Sequence, residues 1–332
     1  MKRAIIIPLL CIAAISAAVY YYRHHGTGPV AIPGPPPDLM SQLPADAPAV
    51  GYVDVVALRT SPFFAQIAAS LPAAEQDPEY TEFIRVTGFD YTRDLDRAAV
   101  AAWPGSPTAS VVVLAEGTFD RDKIRQYALR SGTVSNRGNK GVYEVRVNGP
   151  AKMISLTFLT PNRIALASGR SLDAVLDAAP DLRTDLAIRQ RIQQVAGASL
   201  FGVARTDNLP KDLALDTTHS DQLGHLLESV HYLTLVGRPD GERFGIALDA
   251  ECDSRANAFQ LATLLDGLRW LGRAALADPK TKRQLEPQAV MLLDNLLRAL
   301  DVSHQDQRVE LRLQLTPEML NAALKSPPAR PH

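Results

Sequence analysis

RVELRLQL, Arg308 to Leu315, decides the fold class. Val309, Leu311, Leu313 and Leu315 alternate with Arg308, Glu310, Arg312 and Gln314, and a period of two puts the apolar side chains on one face and the polar ones on the other. Such a strand has one face in a core and one in water, as in antiparallel sheets. Val142 to Val147 repeats the pattern, with Tyr143, Val145 and Val147 set against Glu144 and Arg146. Just past the opening stretch, Thr316-Pro317 supplies a cap and a first-turn proline for a closing helix through Leu324.

Working upstream, Ser254 caps a long helix with an apolar stripe of Ala258, Leu261, Leu265, Leu268 and Leu271. A second helix starts at Pro287 and carries Val290, Leu293, Leu296, Leu297 and Leu300. Both stripes are expected to face a core, although a helix pair over a curved antiparallel sheet is also where an apolar groove forms. Before them, Val230 to Val236 and Phe244 to Leu248 make a hairpin around Gly237-Arg238-Pro239-Asp240-Gly241, and Leu200 to Ala204 reads as a strand.

The earlier half follows a similar order. Ala49 to Leu58 is a valine-rich first strand, expected to be central. Ser61-Pro62 opens a helical stretch to about Val86, interrupted near Asp77-Pro78. Arg97 to Trp103 and Val111 to Leu114 form a hairpin, Asp120 to Leu129 a helix, Met153 to Leu159 and Arg163 to Ser168 further strands turning at Thr160-Pro161-Asn162, and Leu172 to Ala179 a helix capped by Ser171. The expectation is an α+β protein, antiparallel sheet covered by helices, built from two similar duplicated units at 49–182 and 183–326, with a tail at 327–332.

Leu43 to Phe63, LPADAPAVGYVDVVALRTSPF, followed by Thr87 to Asp96, TGFDYTRDLD, resembles a loose group of uncharacterised bacterial proteins, carriers of a domain of unknown function behind an N-terminal signal or anchor. The resemblance covers the first half of the body and implies an extracytoplasmic α+β body and no activity.

At the amino terminus, residues 1–25 hold the uncharged run Ala4 to Tyr22, preceded by Lys2 and Arg3. Its nineteen residues match a helix across a ~30 Å hydrocarbon core, with the basic end inside and Tyr20, Tyr21 and Tyr22 at the outer interface. Ser16-Ala17-Ala18 also offers a cut after a signal peptide. Lipidation at Cys11 is disfavoured by Leu10 before it. All three outcomes place the body outside the cytoplasm, in the bacterial periplasm or beyond. Residues 26–48 are dense in proline, including Pro35, Pro36 and Pro37, and read as a semi-rigid polyproline spacer.

Lys plus Arg number 35 against 36 Asp plus Glu, for a net charge of -1 and no basic stripe, so nucleic acid is not an expected partner. The two cysteines, Cys11 in the apolar run and Cys252 in the body, are not expected to pair. Glu116 and Glu251 each follow an outgoing strand and precede a helix. Brought together they would make the carboxylate pair of a hydrolase; otherwise their place near a helix start satisfies the helix dipole. His219, His225 and His231 recur every six residues, which puts them about 120° apart on a helix and argues against a shared metal. Nucleophile elbow, P-loop, dinucleotide fingerprint and zinc-protease motif are all missing, so no cofactor, metal or catalytic residue is expected. The sequence thus reads as a membrane-anchored extracytoplasmic binding or scaffold protein of the bacterial cell envelope. The alternatives are a carrier or sensor of an apolar ligand such as lipid, and an anchored hydrolase using Glu116 and Glu251. Partners are the membrane, through the N-terminal helix, and an envelope protein or lipid.

Overall fold

The computed structural model describes residues 37–70, 78–104, 110–137, 139–146, 153–176, 181–207, 226–279 and 287–319. The run Ala4 to Tyr22, the first part of the spacer, Cys11, His219, His225 and the tail lie outside them. No helix among the described residues is long and apolar enough to cross a membrane. The chain divides into two compact units, one from Ile32–Ala57 with Ala74–Leu213 and one from Leu58–Ala73 with Ala214–His332.

The described residues form, in order, α1 (Asp38–Ser41), β1 (Ala49–Asp54), α2 (Val55–Arg59), α3 (Pro62–Ser70), α4 (Pro78–Thr87), α5 (Tyr91–Asp94), β2 (Leu95–Trp103), β3 (Ser110–Gly117), α6 (Arg121–Ser131), β4 (Gly132–Arg137), β5 (Lys140–Arg146), β6 (Met153–Thr160), β7 (Arg163–Ser168), α7 (Asp173–Leu176), α8 (Leu186–Val195) and β8 (Leu200–Arg205). They continue with β9 (Val230–Asp240), β10 (Arg243–Cys252), α9 (Arg255–Ala277), α10 (Pro287–Ala299), β11 (Asp301–Gln305) and β12 (Arg308–Leu315). The protein is α+β, and all the strand pairs described are antiparallel.

In the first unit the strand order is β8-β1-β2-β3-β7-β6-β5-β4. β1 is central there, flanked by β2 and β8. It is shorter than its valines suggest because the Asp54 carboxylate accepts the Ala57 N–H at 2.8 Å, capping α2 and turning Val55 to Leu58 out of the sheet. Ala98 to Ala101 and Val111 to Leu114 are all buried, as expected of strands covered on both faces. Over the far part of the sheet, Ile124 and Ala128 of α6, whose first turn Asp120 caps, pack on Phe89, Tyr143, Phe158 and Ile164.

Two expected boundaries move. β8, read as the start of the second unit, pairs with β1 of the first, whereas α3 belongs to the second unit. The spacer, read as running to Pro48, ends by Pro37, because Leu39, Met40, Leu43 and Ala47 are buried. Side chains of the first unit hold this segment in place. The Trp103 indole N–H donates to the Asp46 carbonyl, Arg170 pairs with Asp46 while lying 4.0 Å over the Trp103 ring, and Arg205 donates to the Ala45 and Ala47 carbonyls.

The second unit has the strand order β11-β12-β10-β9. Its β9–β10 turn is tighter than the glycine-proline stretch suggests. Pairing runs on through Pro239 and Asp240, and the chain reverses at Gly241, whose φ of 58° favours glycine. β12 alternates as its sequence demands, with Val309, Leu313 and Leu315 buried. Phe63 of α3 and Phe244 stack at 5.5 Å between centroids, and Leu296, Leu313, Leu315 and Met319 close the cluster. In both units a hairpin is followed by a helix, and a later strand returns beside the hairpin's second member, β7 beside β3 after β4 to β6, and β12 beside β10 after α10 and β11. The likeness is one of path, with eight strands in one unit and four in the other among the described residues.

Phe63 is a fully buried aromatic at the centre of one cluster, so Phe63→Ala is expected to cost about 3–5 kcal/mol of unfolding free energy with little change of m-value. Urea denaturation followed by far-UV dichroism checks it, and a loss below about 1 kcal/mol would contradict the assigned core.

Candidate functional site

Glu116 and Glu251 are each met by an arginine directly across the ladder. Glu116 on β3 faces Arg163, the first residue of β7, whose Nε donates to its Oε1 at 3.0 Å, and the same guanidinium reaches Asp38 at 3.1 Å. Arg97 stands 3.9 Å from the other Glu116 oxygen and 3.5 Å from Asp54, so a line of alternating charge runs from Asp38 to Asp54. Tyr52 lies buried beside it. Desolvation, reinforced by Asp54, pushes its phenol up to about 12, so it is neutral at ordinary pH. Glu251 on β10 faces Arg308, the first residue of β12, at 3.7 Å. The residue after each glutamate donates its N–H to the carbonyl just before the arginine, Gly117 to Asn162 and Cys252 to Gln307. The two glutamates thus lie in different units, each across from a cation, a structural role at the end of a ladder.

His231 is exposed on β9, and among the described residues no cluster of His, Cys, Asp and Glu could hold a metal ion. Cys252 is a buried free thiol, raised in pKa chiefly by burial, so it is a poor nucleophile.

The feature that stands out is in α9. Ser254 caps it through the Asn257 N–H, and its first three turns are anchored by Ala258, Leu261 and Ala262, which join Val230, Ala250 and Val309 in the core. From Asp266 to Ala275 no residue is buried. This corrects the expected stripe. Leu261 is buried, but Leu268 and Leu271 are 45% and 56% exposed. The geometry explains it. Leu271, ten residues past Leu261, is turned about 80° from its face. Leu268, seven residues past, keeps within about 20° of that face and is open because it lies beyond the buried cluster, which ends at Ala262 with Leu264 and Leu265 at its margin.

Phe259 and Trp270 are open as well, at 53% and 66%, and on α10 Met291 is exposed. Five of the ten large apolar side chains exposed among the described residues sit on these two helices. Leaving each about half in water forgoes on the order of 1 kcal/mol of burial, which makes the group a candidate contact surface. α9 still packs against α10 on one side. A Cβ on Gly272 would come 3.1 Å from Leu297, and Arg269 donates to the Leu300 carbonyl. Next to α10 a groove of about 580 Å³ is lined by Met291, Leu292, Ala299 and Met319, with Asn295, Arg298, Thr316 and Glu318 as its polar members. Its lining is mainly apolar with a polar rim, which suits an apolar tail carrying a polar end.

No family model and no curated protein matches the chain. Among solved structures it is similar to TP0453. With crystal form III the TM-score is 0.50 at 10% identity, covering 87% of this chain and 98% of that one. Crystal form IV gives 0.48 at 9% identity over 87% and 97%, and crystal form I 0.44 at 9% over 87% and 98%. The likeness to crystal form III is one of fold alone.

The two glycines of α9 separate its covered and open sides. A Cβ on Gly267 meets nothing within 4 Å, so Gly267→Ala is expected to stabilise the unit by up to about 1 kcal/mol. Gly272→Ala gains less or destabilises, because Leu297 must move. Equal gains in thermal or urea unfolding would contradict the packing of α9 on α10.

Proposed function

We propose that the chain is a membrane-anchored extracytoplasmic binding protein of the bacterial cell envelope without a catalytic role, and that it carries or senses an apolar ligand, a lipid, on the second unit. One observation carries this reading: in residues 266–275 of α9 no side chain is buried, and Leu268, Trp270 and Leu271 are all exposed. A scaffold with no ligand needs no such surface, because exposed leucine and tryptophan cost solubility and stability. The groove beside Met291 and Met319 gives an acyl chain a place to lie, with Arg298, Asn295 and Thr316 near enough to meet a polar end.

Anchorage rests on Ala4 to Tyr22 and on the spacer, which meets the folded body at Pro37. A hydrolytic role draws no support from Glu116 and Glu251, because each carboxylate is occupied by a strand-to-strand ion pair and the two belong to different units.

The experiment takes full-length protein from membranes, washes it at alkaline pH, solubilises it and examines it by native mass spectrometry. The expected result is retention through the wash and co-purifying lipid, lost when Met291 and Arg298, both exposed on the groove, are replaced by Asp and Glu respectively. Lipid-free protein, or lipid held equally by the double variant, overturns the ligand reading. Release by the wash overturns the anchored one.

A further inference from the structure

Building on the proposed binding role of the second unit, we infer that the open face of α9 lies flat on a bilayer surface bearing anionic lipids, docking the body on the membrane. Phe259 and Trp270 are eleven residues apart, which is three turns and about 16 Å along the axis, so they project from one line of the helix. Leu271, about 100° round from Trp270, widens the apolar arc to one side, whereas Leu268 stands about 180° from Phe259 and takes no part in it. On the other side Arg255 and Arg273 form an edge, eighteen residues or five full turns apart, while Arg269 is turned to the α10 side, where it donates to the Leu300 carbonyl. Asp266 is the single acidic residue of α9, against three arginines.

An apolar face holding tryptophan, phenylalanine and leucine, bordered by cations, is the composition of a helix that rests in a membrane interface. The indole suits that position because its ring is apolar and its N–H finds a partner among headgroups. Two of the arginines also have protein partners: Arg269 pairs with Asp266 at 2.8 Å, and Arg255 pairs with Asp306. Both keep hydrogen-bond donors beyond those contacts, since a guanidinium carries five.

The chain itself argues for a bilayer as the occupant. Fourteen residues separate Tyr22 from Pro37, which span at most about 55 Å even at full extension, so an apolar run held in a membrane keeps the body close to that surface. Local concentration then lets a helix of modest intrinsic affinity dock.

Trp103 and Trp270 are the two tryptophans, so in full-length Trp103→Phe protein Trp270 reports alone. The protein is reconstituted into vesicles of phosphatidylcholine, with or without phosphatidylglycerol, carrying acyl chains brominated at shallow or deep positions. The expected result is a blue-shifted Trp270 emission, shielded from aqueous iodide and quenched most by shallow bromines, more strongly with phosphatidylglycerol. Phe259→Ser with Leu271→Ser, both at exposed sites, is expected to abolish the shift, and Arg273→Glu to weaken it in anionic vesicles. Trp270 open to iodide and untouched by brominated lipid overturns the inference, as does shielding that grows with protein concentration without lipid, the mark of a second copy on this face. The readouts separate the two claims. Anchored, lipid-carrying protein with Trp270 in water defeats docking alone, whereas Trp270 quenched by bilayer lipid in protein that releases at alkaline pH defeats the anchor alone.

Discussion

Everything distinctive about this protein follows from the limited cover that the second unit gives its longest helix. The first turns of α9 are fixed by Ala258, Leu261 and Ala262 against Val230, Ala250, Cys252 and Val309. That burial, with the Ser254 cap, pins the helix at one end. Past Asp266 the cover lapses until the buried Leu276, while the sequence stays rich in leucine and adds a tryptophan. A helix turning such residues to water is held by its capped start, by Gly272 against α10 and by backbone propagation. The free energy left unrealised on its open side is what a lipid partner would recover.

Around that helix the scaffold is conventional antiparallel sheet, and its charged groups serve the scaffold. Arg163 and Arg308 each stand opposite a glutamate at the end of a ladder, Glu116 in one unit and Glu251 in the other. With one face of the guanidinium–carboxylate pair near solvent, each contributes on the order of 1 kcal/mol or less and mainly fixes register. The matched position of the two glutamates, visible in the sequence as a recurring acidic residue before a helix, therefore reflects shared strand order. Chemistry is not required to explain it.

The legible parts of the fold are those where one local signal acts unopposed. β12 alternates cleanly, and α9, α6 and α3 announce their starts through Ser254, Asp120 and Ser61. The missed elements have weak patterns for a physical reason. β4 and β11 are polar edge strands, GTVSNR and DVSHQ, whose pairing partners supply the order that their own residues do not. α1 and the packed segment up to Pro48 hide among prolines, and only burial of Leu39, Met40 and Leu43 shows that they belong to the body. The strand expected through Leu58 stops at Asp54 because one carboxylate competes for the Ala57 N–H. The candidate site was least legible. Leu268 and Leu271 carry the same spacing whether covered or bare, and what bares them is the reach of a core assembled from β9, β10 and β12.

Amide hydrogen–deuterium exchange of the full-length protein, with and without a lipid bilayer, is the most direct measurement of whether the open half of α9 is a contact surface. The prediction is fast exchange across residues 266–275 in lipid-free protein and clear protection of that segment on the bilayer, with β10 and β12 slow in both. Unchanged exchange in 266–275 on adding lipid would contradict a membrane-facing role for α9.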